Sequence, residues 1–215
     1  DIITAVSGGS LTALAYGLYG ETLFADYETR FLKRDVQGEI VRRAFNPFNW
    51  GKLGSPTWGR SDLAAEVYDE ILFNGATYGD LVRGNGPLIL AATTDLATGA
   101  RFIFNQGFFD IICSDLSAVP LSRAAAASSA VPVVLSAITL DNHAGTCGTV
   151  LSERLRRWTG GNLADLPGRA RLRVQEAISL EDRTERPYIH LVDGGVSDNL
   201  GVRGVVESMD VIEHS

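Results

Sequence analysis

At 215 residues and a formal net charge of −7, the chain is long enough to bury one large core, and its acidic balance excludes general nucleic-acid binding, which needs a positive field over phosphates. Hydrophobic residues at 45% and charged residues at 21% exclude a disordered chain. Two cysteines, Cys113 and Cys147, are too few for a disulfide scaffold and form no CxxC pair, which removes structural zinc and dithiol redox chemistry; a single bridge between them stays open.

Ile2 to Val6 is apolar and β-branched, as a strand buried on both faces requires, and Ser10 to Tyr19 then reads as a helix packed through small residues. The change of period falls at Ser7-Gly8-Gly9, where glycines are expected to relieve crowding at a turn whose central residue holds an uncommon backbone conformation. The only methionine is Met209, and the chain opens almost directly on this turn, so sequence upstream of Asp1 is expected. Residues 21–80 are more polar, with helices expected over Leu23–Phe31, Val36–Ala44 and Asp62–Leu72, the last capped by Ser61. Between them, Asn46 to Leu53 reads as a loop with exposed aromatics; the whole block reads as a lid or an outer helical region.

Pro87 to Thr93 is a second buried strand, closed by the turn Thr94 to Gly99 and followed by a returning strand, Arg101 to Phe104. Leu121 to Ala130 reads as a small-residue helix ending before Val131-Pro132, with an extended run over Val133–Ile138. Leu151–Trp158 and Arg171–Ile178 read as short helices, Tyr188 to Val192 as a strand, and Gly201–Met209 as a further helix. Neither uncharged stretch, Ile2–Gly20 nor Ala124–Leu140, matches a membrane helix of about 20 strongly apolar residues. The arginines Arg154, Arg156 and Arg157 beside Trp158, followed by Arg169, Arg171 and Arg173, are candidates for anionic headgroups, with a solvated helix face as the plainer account. Strands alternating with helices predict one α/β domain over residues 1–215 with a mostly parallel sheet.

The chemistry concentrates in two turns. Ser7 at a strand tip would present its hydroxyl above the sheet, with the backbone N–H of Gly8 and the N-terminus of a helix near the place where an oxyanion develops. Asp193 ends the strand Tyr188–Val192 and is the candidate base that serine needs, with Gly194 and Gly195 turning the backbone away. Asp198 and Asn199 read as braces of that turn. No metal or organic cofactor is expected, since a lone acid such as Asp95 supplies far fewer than the 6–8 oxygens of a typical calcium site.

The segments Ala5-Val6-Ser7-Gly8-Gly9-Ser10 and Asp193-Gly194-Gly195-Val196-Ser197-Asp198-Asn199 resemble the nucleophile and acid motifs of the patatin-like phospholipases, relatives of the cytosolic phospholipase A2 catalytic domain. Ala91 to Gly99 and Ala127 to Pro132 also resemble internal segments of that family, so the likeness covers most of the chain. The resemblance implies a three-layer α/β/α fold and lipid acyl hydrolysis through a Ser-Asp dyad, Ser7 as nucleophile and Asp193 as base. Gly8, Gly9, Gly194 and Gly195 would then support the oxyanion and the turns. It further implies a phospholipid or other acyl-lipid substrate, peripheral membrane contact, and a bacterial periplasmic or membrane-associated location with the cytoplasm as alternative. Ala5 departs from the family's glycine, and the family's glycine-rich oxyanion loop with its arginine would lie upstream of these residues. Loss of one oxyanion donor costs about 3 kcal/mol, so this stretch alone is expected to be a weak or inactive enzyme.

Two other readings compete. A Ser-His-Asp hydrolase would draw on His143, His190 or His214, of which His190 alternates to the face opposite Asp193 and His214 stands next to the C-terminus. A non-catalytic lipid-binding protein would use the same shell with Trp50 and Trp158, leaving Ser7 and Asp193 as plain turns.

Overall fold

The computed structural model describes residues 1–53, 58–84, 86–148, 168–203 and 205–206. The expected helix over Leu151–Trp158, its arginine cluster, Met209 and His214 lie outside the described residues. Five strands form one sheet: β1 (Ile2–Val6), β2 (Leu88–Asp95), β3 (Arg101–Phe104), β4 (Ile138–Asp141) and β5 (Tyr188–Asp193). Strand β2 is central. Its residues 88–92 pair with β1 in parallel, residues 91–94 pair with β3 antiparallel, and residues 93–95 pair with β5 antiparallel.

This register fixes the geometry of the site. Ala91 and Ala92 pair with β1 and β3 at once, and Thr93 and Thr94 pair with β3 and β5 at once. A strand has only two edges, so β1 and β5 share one and β3 holds the other. Because β1 runs with β2 and β5 runs against it, the carboxyl ends of β1 and β5 meet head-on, Val6 opposite Ala92 and Asp193 opposite Thr93. Strand β4 pairs antiparallel with β5 beyond.

The expectation of a mostly parallel sheet is therefore corrected: β1 with β2 is the one parallel pair described, and the sheet is mixed and mostly antiparallel. The return from β2 to β3 spans residues 96–100, too short for a parallel crossover, which needs a dozen residues or more. Strand β5 enters the edge already occupied by β1 from the opposite end. Alternation of apolar strands and helices carries no information about that direction.

The helices are α1 (Gly8–Tyr19), α2 (Val36–Ala44), α3 (Pro47–Leu53), α4 (Arg60–Tyr68), α5 (Tyr78–Arg83), α6 (Gln106–Ile111), α7 (Leu121–Ser128), α8 (Gly168–Glu181) and the single turn α9 (Gly195–Asp198). Helices α1 and α7 pack on β2, and α7 also reaches β5. Ala124, Ala125, Ala126 and Ala127 are fully buried, and their small side chains let α1, α4 and the sheet all approach α7. In α1, Gly17 faces Ile89, where a Cβ would stand 2.8 Å from its Cγ1.

Residues 21–80 are helical where described, but irregularly so. Gly20–Ala25 is a 3₁₀ helix, and Glu28–Leu32 and Asp69–Phe73 are π-helical turns, the second extending α4. The expected loop over Asn46 to Leu53 is largely α3, while its aromatics are exposed, Phe48 at 93% and Trp50 at 59%. From Arg60 onward the block packs inward, with Leu63, Ala64 and Val67 fully buried against α7. Ser61 is not the cap of α4: the Gly59 N–H donates to Asp62 Oδ2 at 2.9 Å, and the Ser61 hydroxyl donates to the Ser136 carbonyl. The run Val133–Ile138 becomes a strand only at Ile138.

A disulfide joins Cys113, after α6, to Cys147, after β4, across 34 positions. Closing a loop of that length contributes about 2–4 kcal/mol. At the far end of β2, the buried Asp95 accepts from Thr98 and pairs with Arg186, which anchors the approach to β5. Among the described residues no helix is long and apolar enough to cross a membrane.

Candidate active site

Ser7 stands between β1 and α1 at φ 53° and ψ −134°, a positive φ that an L-residue adopts only when its surroundings hold it there. Val6 before it is fixed by pairing with Ala92, and the Ser7 carbonyl accepts from the Ser10 N–H at 3.0 Å, the first bond of the helix. The serine is thus clamped from both sides while its hydroxyl projects beyond the sheet. Gly8 and Gly9 open α1, so their N–H groups belong to the first turn, which has no intrahelical acceptors and carries the positive end of the helix dipole. Both glycines are exposed, and a Cβ on either would meet no atom within 4 Å. Their role is therefore not relief of crowding in this structure; they leave the N–H face open.

Asp193 arrives from the other side at the end of β5 and is buried. The Ser7 hydroxyl donates to its Oδ2 at 2.7 Å, and the Gly195 N–H donates to its Oδ1 at 2.7 Å. Each carboxylate oxygen has one partner, which fixes the carboxylate plane. Gly194 is required by close approach: a Cβ there would stand 2.3 Å from the Ala92 carbonyl oxygen and 3.1 Å from Val6 Cγ1. At Gly195 a Cβ would stand 2.9 Å from Asp193 Oδ1 and 2.8 Å from Asn199 Oδ1. The acid turn thus sits directly on the backbone that carries the serine.

Further polar groups tie this turn to the sheet. Thr94 donates its hydroxyl to the Asp193 carbonyl at 2.9 Å and accepts from the Ser197 N–H at 3.2 Å. Asp198, expected to brace the turn itself, instead holds the segment that follows, its Oδ2 accepting from the Arg203 N–H at 3.0 Å. The C-terminal end of α7 closes the third side: the Ser128 hydroxyl receives the Ser7 N–H at 3.0 Å, and Ala130 accepts from the Asp193 N–H at 2.9 Å. Beside it, the Ser129 hydroxyl donates to the Ala125 carbonyl, and burial pushes the Tyr68 phenol upward against the pull of its own bond to Ser129.

The structure brings Ser7 and Asp193 together across 186 positions and places all four named glycines at their turns. It does not bring the described histidines there. His190 lies on the exposed side of β5 with Nδ1 3.0 Å from Thr139 Oγ1, and His143 sits in the disulfide loop, its N–H on the Ile112 carbonyl. Ser128 and Thr94 are the functional neighbours that sequence reading missed. Both lie inside segments already singled out, but nothing in a small-residue run distinguishes the serine that faces a turn from its neighbour. A separate cleft of about 430 Å³ holds neither Ser7 nor Asp193; of its four acids, Asp62, Glu66 and Glu70 are paired with Arg123, Lys52 and Arg43, and Asp69 accepts from the Gly75 N–H. Among the described residues no cluster of His, Cys, Asp and Glu is arranged to hold a metal.

Comparison with curated proteins and with solved structures returns no match. The model of one family, described as patatin-like phospholipase, matches residues 1–206, nearly the whole chain. With both turns inside the matched span, the chain belongs to the patatin-like phospholipase family, whose activity is lipid hydrolysis.

Proposed function

We propose that this protein hydrolyses carboxylic esters of phospholipids, lysophospholipids or other acyl lipids, with Ser7 as nucleophile and Asp193 as its base. The observation that carries the reading is the 2.7 Å bond from Ser7 Oγ to Asp193 Oδ2, made while Gly195 holds the other carboxylate oxygen. Asp193 accepts the Ser7 proton as Oγ attacks the ester carbonyl, and the developing oxyanion faces the first-turn N–H groups of α1. Collapse breaks the bond to the alcohol, which leaves with the proton from Asp193, and the acyl group remains on Ser7. Water then gives its proton to Asp193 and attacks the acyl carbonyl; release of the acid returns the proton to Ser7. A serine-directed fluorophosphonate should label the folded protein, and Ser7→Ala should remove the label entirely. A folded full-length protein that takes no label, or label that persists in S7A, would refute the assignment.

The membrane side of the reading rests on the α7–β4 connection. Val133 is 90% exposed at φ 77°, and Val134 beside it is exposed too, in a stretch, Ala124–Leu140, without one charge. Arg60 holds the Val133 carbonyl and Ser61 holds Ser136, so this apolar knuckle is fixed, three residues beyond the Ala130 carbonyl that binds Asp193. A β-branched residue at positive φ is a genuine backbone outlier, and full exposure of its side chain offers water no compensation for it. Insertion into a lipid surface does, at about 1.5 kcal/mol or more per valine. The double variant Val133→Asp, Val134→Asp is expected to lower hydrolysis of phosphatidylcholine vesicles about tenfold while leaving a soluble short-chain ester unaffected. Equal losses on both substrates would rule this contact out.

A further inference from the structure

We propose that Ser128 is a positioning residue that holds both halves of the Ser7–Asp193 pair in register; this rests on the reading of Ser7 as nucleophile. Its hydroxyl is fully buried at the end of α7, 2.7 Å from the Ala92 carbonyl oxygen, 3.0 Å from the Ser7 nitrogen and 2.8 Å from Ser10 Oγ. A serine hydroxyl has one proton to give and can accept two. The Ala92 carbonyl only accepts, so the Ser128 proton goes there; the Ser7 N–H only donates; the remaining bond is then donated by Ser10. One arrangement satisfies all three contacts. The main chain of the same residue grips the acid side, its carbonyl accepting from the Gly194 N–H at 3.2 Å. A single residue therefore binds the serine turn with its side chain and the aspartate turn with its backbone.

Two consequences follow for the chemistry. The Ser7 N–H is turned inward onto Ser128, which leaves the N–H groups of Gly8 and Gly9 as the donors of α1 that face an oxyanion. The positive φ of Ser7 is also held in part by this bond, so removing the acceptor frees the backbone to relax and carries Oγ away from Asp193. A displacement of about 1 Å at a reacting group can cost roughly 100-fold in rate.

Ser10 supplies the control. It is as fully buried as Ser128, and Ser10→Ala and Ser128→Ala both delete the bond between the two hydroxyls, but only the second releases Ser7. Thermal stability, fluorophosphonate labelling rate, kcat and KM on a soluble short-chain ester are measured for both. S128A is expected to lose about 10- to 100-fold in kcat and labelling rate with KM within about twofold, whereas S10A stays within about threefold in every kinetic term. If S128A does not fold, Ser128→Cys keeps the volume with a poorer acceptor and is expected to show the same kcat deficit. Equal kcat losses in S10A and S128A, or wild-type kcat in S128A or S128C, would reduce Ser128 to a packing residue. Activity surviving in S7A would instead overturn the nucleophile, which separates the two failures.

Discussion

Asp193→Asn is expected to lower kcat by about 10³- to 10⁴-fold, the upper part of the range for loss of a general base, with little change in stability. The substitution keeps the shape of the side chain, and an amide oxygen can still accept from the Gly195 N–H, which Asp193 receives at 2.7 Å. What it removes is the ability to take the Ser7 proton. A serine hydroxyl is a weak nucleophile without a base, and no described histidine contacts either Ser7 or Asp193. The loss should therefore be in kcat and labelling rate with an unchanged melting temperature. His143→Ala and His190→Ala, measured beside it, should keep most activity, because those side chains lie in the disulfide loop and on the exposed side of β5. D193N retaining a tenth of wild-type turnover would exclude Asp193 as the base, and a histidine variant that abolishes turnover would replace the dyad with a triad.

Both members of this pair were legible in the sequence because each ends a short apolar strand where glycine takes over. Ile2–Val6 and Tyr188–Asp193 form strands as the β-branched runs require, and Arg101–Phe104 returns from its turn as expected. Local pattern reports that a strand exists and where it stops. It does not report direction, and the mostly parallel sheet was the casualty. The head-on meeting of β1 and β5 on one edge of β2 is a property of register, visible only when residues 91–94 are seen to pair on both sides. The same limit hid Ser128. A buried serine in an alanine-rich helix reads as a helix-packing residue, and its three hydrogen bonds join segments more than 30 positions away. The loop expected at Asn46–Leu53 failed for a different reason: after Pro47, a good first helical residue, the aromatics occupy an exposed helix with no apolar stripe to announce it.

Gly194→Ala is expected to lower the melting temperature by about 5–15 °C, from a destabilisation of about 2–4 kcal/mol, and to cut turnover at least 100-fold. The cause is steric alone. Gly194 has φ −64° and ψ −23°, a conformation alanine adopts freely, so backbone preference does not oppose the change. The added Cβ, however, would stand 2.3 Å from the Ala92 oxygen and 2.9 Å from its carbonyl carbon, atoms of the central strand that is paired on both edges at that residue. The strand cannot yield, so the acid turn must. Moving that turn outward breaks the Gly194 bond to the Ser128 carbonyl and carries Asp193 away from Ser7. Gly9→Ala is the matched comparison, placing the same methyl where nothing lies within 4 Å and where a helix gains from losing glycine, so its melting temperature should hold or rise. If G194A melted and turned over like the wild type, the aspartate turn would not rest on β2 at all. The 2.7 Å contact that defines the site would then have no framework to maintain it.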